Sequence, residues 1–156
     1  MFSQQDTDSP QAKLIYSSCE GFKKRDVDLI TKDLHKDHHR IYHPRSLGMP
    51  EQTKEGYVQL LTEIMNLWTD APEMAIHSII ETPGTVVAHL SNKVKTSIGV
   101  EMIRESMFIF WIIADEDGTL KITQIDDFTD TKSQDYWFKA IAEAKAKRER
   151  PALCAA

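Results

Sequence analysis

At 156 residues, 41% hydrophobic and 28% charged, the chain has the size and balance of one globular domain, which excludes a disordered or membrane-embedded protein. A net charge of −5 excludes generic nucleic-acid binding, because phosphate contacts want a basic surface. The longest apolar run, Met107 to Ala114, is too short for a membrane-spanning helix. No basic-then-apolar leader opens the sequence, and Cys19 and Cys154 are too few for a disulfide framework, so a reduced, cytoplasmic protein without membrane contact is expected.

Residues 1–8 are polar and read as a disordered N-terminus, 9–147 as the domain and 148–156 as a C-terminal tail. Ser9-Pro10 has the form of an N-cap and a first helical position, and Ala12, Ile15, Tyr16, Cys19 and Phe22 follow at helical spacing, with Gly21 near the end. Asp26 caps a second, short helix with Val27, Ile30 and Leu34 on its apolar stripe. His39 to His43 is a short extended stretch closed by Pro44. Thr53 opens the clearest helix, which presents Tyr57, Leu60, Leu61, Ile64 and Trp68 on one face.

Beyond Pro72 the period changes. Met74–Glu81 and Thr85–Lys93 read as strands around a Pro83-Gly84 turn. Glu101–Ala114 and Leu120–Thr129 pair across Asp115-Glu116-Asp117-Gly118. Asp130 or Thr131 caps a last helix carrying Tyr136, Trp137, Ala140, Ile141 and Ala144, whose basic end, Lys145 to Arg150, suits a helix C-terminus. Helices segregate from strands without a βαβ repeat, so the class is α+β with an antiparallel sheet.

The last hairpin is specific enough for a register. A type I turn with Gly118 left-handed pairs Asp115 with Thr119, which sets Met107 opposite Asp127 and Glu105 opposite Thr129. Glu105 and Asp127 then share one face of the sheet, whereas a two-residue-turn register would separate them.

Several motifs together resemble a known family. Tyr42-His43-Pro44-Arg45-Ser46-Leu47-Gly48-Met49-Pro50 followed by Thr53-Lys54-Glu55 is similar to a segment of the SnoaL-like branch of the nuclear transport factor 2-like superfamily. Ser97-Ile98-Gly99, Arg104-Glu105-Ser106, and Asp117-Gly118 followed by Ile125 to Asp130 resemble the same family over residues 10 to 140. Arg104 and Ser106 stand where its members commonly carry Asn and Tyr, and His43 where they carry an apolar residue. The resemblance implies a cone-shaped fold, a bent sheet wrapped around helices with a deep pocket. It also implies proton-transfer chemistry on apolar small molecules, with neither metal nor organic cofactor. Some members of the superfamily catalyse nothing.

The candidate chemistry starts at Asp127, whose place in Asp127-Phe128-Thr129-Asp130 resembles a catalytic acid of epoxide-hydrolysing relatives. An apolar pocket would raise its pKa, as a general acid or base requires. On that reading Asp127→Asn leaves the fold intact and lowers turnover by about 100-fold, with Asp126→Asn as the silent control. Glu105 either joins Asp127 or pairs at the sheet surface. His39 and His43, alike in strand parity, are proton-shuttle candidates, with Arg40 and Tyr42 on the opposite parity; which set faces inward is open. The cluster His35, His38, His39 and His43 lacks a metal-binding motif, so no metal is expected. Candidate substrate contacts are Tyr16, Tyr42, Tyr57, Trp68, His77, His89 and Met107, the first four as aromatic lining; His77 and His89 fall on opposite faces. The expected function is a cofactor-independent acid–base enzyme acting on a polyketide- or terpenoid-like molecule, or else a non-catalytic ligand-binding or dimerisation module. Large apolar side chains on both faces of Met107 to Ile113 predict a homodimer.

Overall fold

A computed structural model describes residues 8–149, with side chains to Lys147. Cys154 and nearly all of the expected terminal segments lie outside the described residues. Helix α1 (Pro10–Lys24) opens as its sequence predicts: Ser9 Oγ accepts the Ala12 N–H at 2.9 Å. Gly21 does not end it. A Cβ there would stand 2.7 Å from Ile30 Cγ1, so the glycine is what lets α1 and α2 (Val27–Thr31) approach this closely. Asp26 caps α2 through the Leu29 N–H.

The next element departs from expectation. Strand β1 runs Leu34–His43, taking in Leu34, which reads in the sequence as the end of a helical stripe. β1 lies beside the last strand, β6 (Leu120–Thr129), and pairs with it in parallel, from Leu34↔Ile122 to His43↔Phe128. The pairing is long-range, so local pattern around the polar His35-Lys36-Asp37 carries no sign of it. The sheet is therefore mixed. Six strands lie in the order β2-β1-β6-β5-β4-β3, with β2 Gln52–Thr53, β3 Glu73–Thr82, β4 Thr85–Lys95 and β5 Glu101–Ala114. From β3 to β6 every pairing is antiparallel, as expected.

Two bulges set which side chains face inward. In the β5–β6 hairpin the turn closes as predicted: Asp115 donates to Thr119 O at 2.8 Å, and Gly118 has φ +80°. That register lasts to Ile112↔Ile122 and then slips, so Trp111 faces Gln124, Met107 faces Phe128 and Phe108 faces Asp127. On β3–β4 a second shift, between Ile76 and Ser78, leaves His77 unpaired. Instead of lying on opposite faces, His77 and His89 meet with ring centroids 4.6 Å apart.

Helix α3 (Lys54–Met65), capped by Thr53, and α4 (Thr131–Glu149), capped by Asp130, cover the sheet with α1 and α2. Their buried Tyr57, Leu61, Met65, Trp137 and Ile141 join Val86, Ala88, Phe110 and Ile122 of the sheet in a single core. The layers are those of a cone: helices inside the curve of an open, bent sheet. His38, on the inward parity of β1, is 1% exposed and donates Nδ1–H to Ile122 O. Burial pushes its pKa down to about 4, so it sits in this core as a neutral ring.

Candidate active site

Between the sheet and the helices lies a cavity of about 100 Å³ with largely apolar walls, among them Ile15, Leu61, Trp68, Phe110, Ile122 and Trp137. Strand alternation puts one polar group against this lining. The inward residues are Arg40 and Tyr42 on β1, Arg104, Ser106 and Phe108 on β5, and Asp127 and Thr129 on β6.

Asp127 is the centre of the group and its side chain is 0% exposed. Arg40 Nη2 donates to Oδ2 at 2.5 Å, and Arg104 Nη2 donates to Oδ1 at 2.7 Å and Oδ2 at 2.5 Å. Arg104 Nε donates to Thr129 Oγ1 at 2.9 Å and Ser106 Oγ at 3.1 Å, and the Ser106 hydroxyl bonds in turn to Thr129. Aromatic faces hold the guanidiniums from the other side: Arg40 Cζ lies 4.6 Å from the Tyr57 ring centroid and Arg104 Cζ 5.7 Å from that of Phe108.

The electrostatics of Asp127 contradict the sequence expectation. Burial alone would raise its pKa, but Arg104 and Arg40 outweigh burial and hold the carboxyl below its ordinary value. It is a locked carboxylate, not a poised acid. Nor does it touch the cavity: Arg40, Arg104 and Ser106 line the wall, and Asp127 stands behind them. Burial also keeps the Tyr57 hydroxyl protonated by raising its pKa. Two polar atoms of other lining residues, Trp68 Nε1 and Asn92 Oδ1, are buried without a hydrogen-bond partner.

The remaining candidates separate by face. Tyr42, Tyr57 and Trp68 line the cavity; Tyr16 packs against the core outside it. Glu105 does not share the concave face with Asp127: the extra residue of β6 beside Trp111 turns Asp127 inward, while Glu105 stays on the outer face and pairs with His89 at 2.6 Å. His43 is outward too, stacked on Phe128 at 4.3 Å and bonded to Asp126 at 2.8 Å. His39 pairs with Glu51 at the surface, His77 bonds Ser91, and Met107 is exposed on the outer face. None of these six lines the cavity. Arg40 and Tyr42 thus form the inward set on β1, and Asp126 belongs to an outer cluster with Trp111, Gln124 and His43. Among the described residues no three His, Cys, Asp or Glu side chains converge as a metal site.

Arg40, Arg104, Ser106 and Thr129 are the site residues that the sequence reading does not select. The signal for two of them, Arg104 and Ser106, is period two: Met102, Arg104, Ser106, Phe108, Phe110 and Ile112 form one face of β5.

Neither a protein-family model nor a curated protein matches the sequence. Among solved structures the chain is similar to BvnE pinacolase from Penicillium brevicompactum, with a TM-score of 0.75 and 15% identity over 91% of this chain and 97% of that one. It is similar to TerC co-crystallised with polyporic acid, with a TM-score of 0.65 and 22% identity over 82% and 97%. An LEH-like epoxide hydrolase from M. tuberculosis follows the same course, with a TM-score of 0.62 and 16% identity over 86% and 90%. At these identities the likeness is one of fold.

Removing the central carboxylate leaves two buried guanidiniums facing each other, so Asp127→Asn costs about 3–5 kcal/mol of stability in place of leaving the fold intact. Urea unfolding checks this; Asp126→Asn, which keeps an acceptor for Trp111 on the outer face, loses clearly less.

Proposed function

We propose, from the nuclear transport factor 2-like fold that this chain has, that it is a SnoaL-like, cofactor-independent acid–base enzyme. Its substrate is an apolar small molecule such as a polyketide or terpenoid intermediate, and its reaction an isomerisation, dehydration, cyclisation or hydrolysis. The observation that carries the reading is the buried Arg40–Asp127–Arg104 group on the wall of an otherwise apolar cavity. Such reactions build negative charge on a substrate oxygen, and fixed guanidinium donors in a dry site stabilise that charge strongly. Asp127 then acts as a positioning residue for the arginines. A substrate oxygen that draws Arg104 toward itself loosens its grip on Asp127, and the carboxylate gains basicity as that happens. Tyr57 supplies a hydroxyl donor from the same wall, while the Tyr42 hydroxyl donates to Gln52. Glu105, His39 and His43 have no part in this mechanism.

One observation favours a second reading, a non-catalytic ligand-binding module: the only carboxylate of the group is ionised and shielded from the cavity. Four probes separate the two: an apolar epoxide, a vicinal diol, a β,γ-unsaturated ketone and an open-chain polyketone, each followed by chromatography and mass spectrometry. The enzyme reading expects turnover of at least one, lowered by about 100-fold in Arg104→Met. Binding of the probes without conversion of any would favour the binding module.

The outer face supports a homodimer. Ile103, Met107, Trp111, Ile113 and Phe128 are exposed there, and all but Phe128 lie on one strand. A second copy of this face covers an apolar surface that water would otherwise meet. Sedimentation velocity at micromolar concentration should give a dimer that Trp111→Lys dissociates; a wild-type monomer would contradict it.

A further inference from the structure

The guanidinium edges that the protein leaves unused say what the ligand carries. Arg104 spends Nε on Thr129 and Ser106 and Nη2 on Asp127; Arg40 spends Nη2 on Asp127. Among the described residues neither Nη1 meets an acceptor, and Arg40 Nε is buried with no partner. Arg40 is 6% and Arg104 17% exposed, and both line the cavity. The charges do not balance: two guanidiniums face one carboxylate. Among the described residues no acidic side chain lines the cavity. A buried charge is costly unless paired, and a guanidinium is the side chain best shaped to pair with a planar two-oxygen anion.

We infer that the molecule this cavity holds is an organic acid: an apolar body with one ionised carboxylate or equally acidic oxygen group, seated on the free Nη1 groups of Arg104 and Arg40. The apolar body lies along Leu61, Phe110, Ile122 and Trp137. The inference rests on the reading of the cavity as a small-molecule site, but not on the site's being catalytic. The anion supplies the counter-charge that Asp127 alone does not, and it competes with Asp127 for Arg104. A neutral molecule of the same shape leaves the two guanidiniums sharing one carboxylate.

Calorimetric titration with 2-naphthoate and its neutral isostere 2-naphthamide tests this without turnover. The wild-type protein is expected to bind the carboxylate at least about tenfold more tightly, the scale of one charge-assisted hydrogen bond. In Arg104→Met the preference falls to within about twofold, with the amide's own affinity little changed. Equal or tighter binding of the amide to the wild type, or no binding of either, overturns the inference, and that comparison stands even if the variant does not fold. A preference that persists undiminished in a folded Arg104→Met overturns the placement on Arg104. A naphthoate preference in a protein that converts none of the four reaction probes would leave this inference standing while the enzyme reading fell.

Discussion

The ion group of Arg40, Asp127 and Arg104 joins three neighbouring strands where the parallel pairing of β1 with β6 meets the antiparallel pairing of β6 with β5. Arg104 comes from β5, Asp127 from β6 and Arg40 from β1. Both guanidiniums share the one carboxylate, and the hydroxyls of Ser106 and Thr129 accept from Nε of Arg104. A carboxylate in this position without its arginines would have to be neutral, and arginines without the carboxylate would repel each other in a poorly screened interior. The fold of this end of the sheet and the polarity of the cavity wall therefore depend on one interaction.

That interaction also fixes what the site can do. A general base works best when its pKa lies near the working pH; here the guanidiniums hold the carboxylate well on the ionised side and out of contact with the cavity. The polar wall of the cavity is cationic and rich in donors, with apolar lining beyond it. The outer face of the same strands is built differently. There Asp126, His43 and Trp111 bond among exposed apolar side chains, and His77, His89 and Glu105 form a second polar cluster. Alternation along β5 and β6 separates a cavity-facing side from an outer side with exposed apolar side chains.

Much of this was legible in the residues. The α+β class, the two hairpins, the caps at Ser9, Asp26, Thr53 and Asp130 and the motif resemblance all rest on local signals, and local signals are what a sequence carries openly. The turn at Gly118 was legible too, but the bulge beside Trp111 was not, since nothing in Thr123-Gln124 marks one extra residue. That single residue moved Glu105 away from Asp127. The parallel contact between β1 and β6 joins segments more than eighty residues apart, and with it came Arg40, whose parity alone left inward and outward equally open. Asp127 was selected correctly as a residue facing inward, while its ionisation depended on two neighbours that no spacing rule brings together.

The most direct measurement of the central claim is the titration of the Asp127 carboxyl carbon by ¹³C NMR, assigned with Asp127→Asn. Because its folded pKa lies below the unfolded value, the stability it contributes is complete above its ordinary carboxylate range and lost only as pH falls through the folded pKa. The carbon should therefore show the ionised shift throughout the neutral and mildly acidic range, titrating below the ordinary value or only as the protein unfolds. A midpoint near neutrality would mean that the arginines do not hold the carboxylate, and that Asp127 is the poised acid its surroundings here argue against.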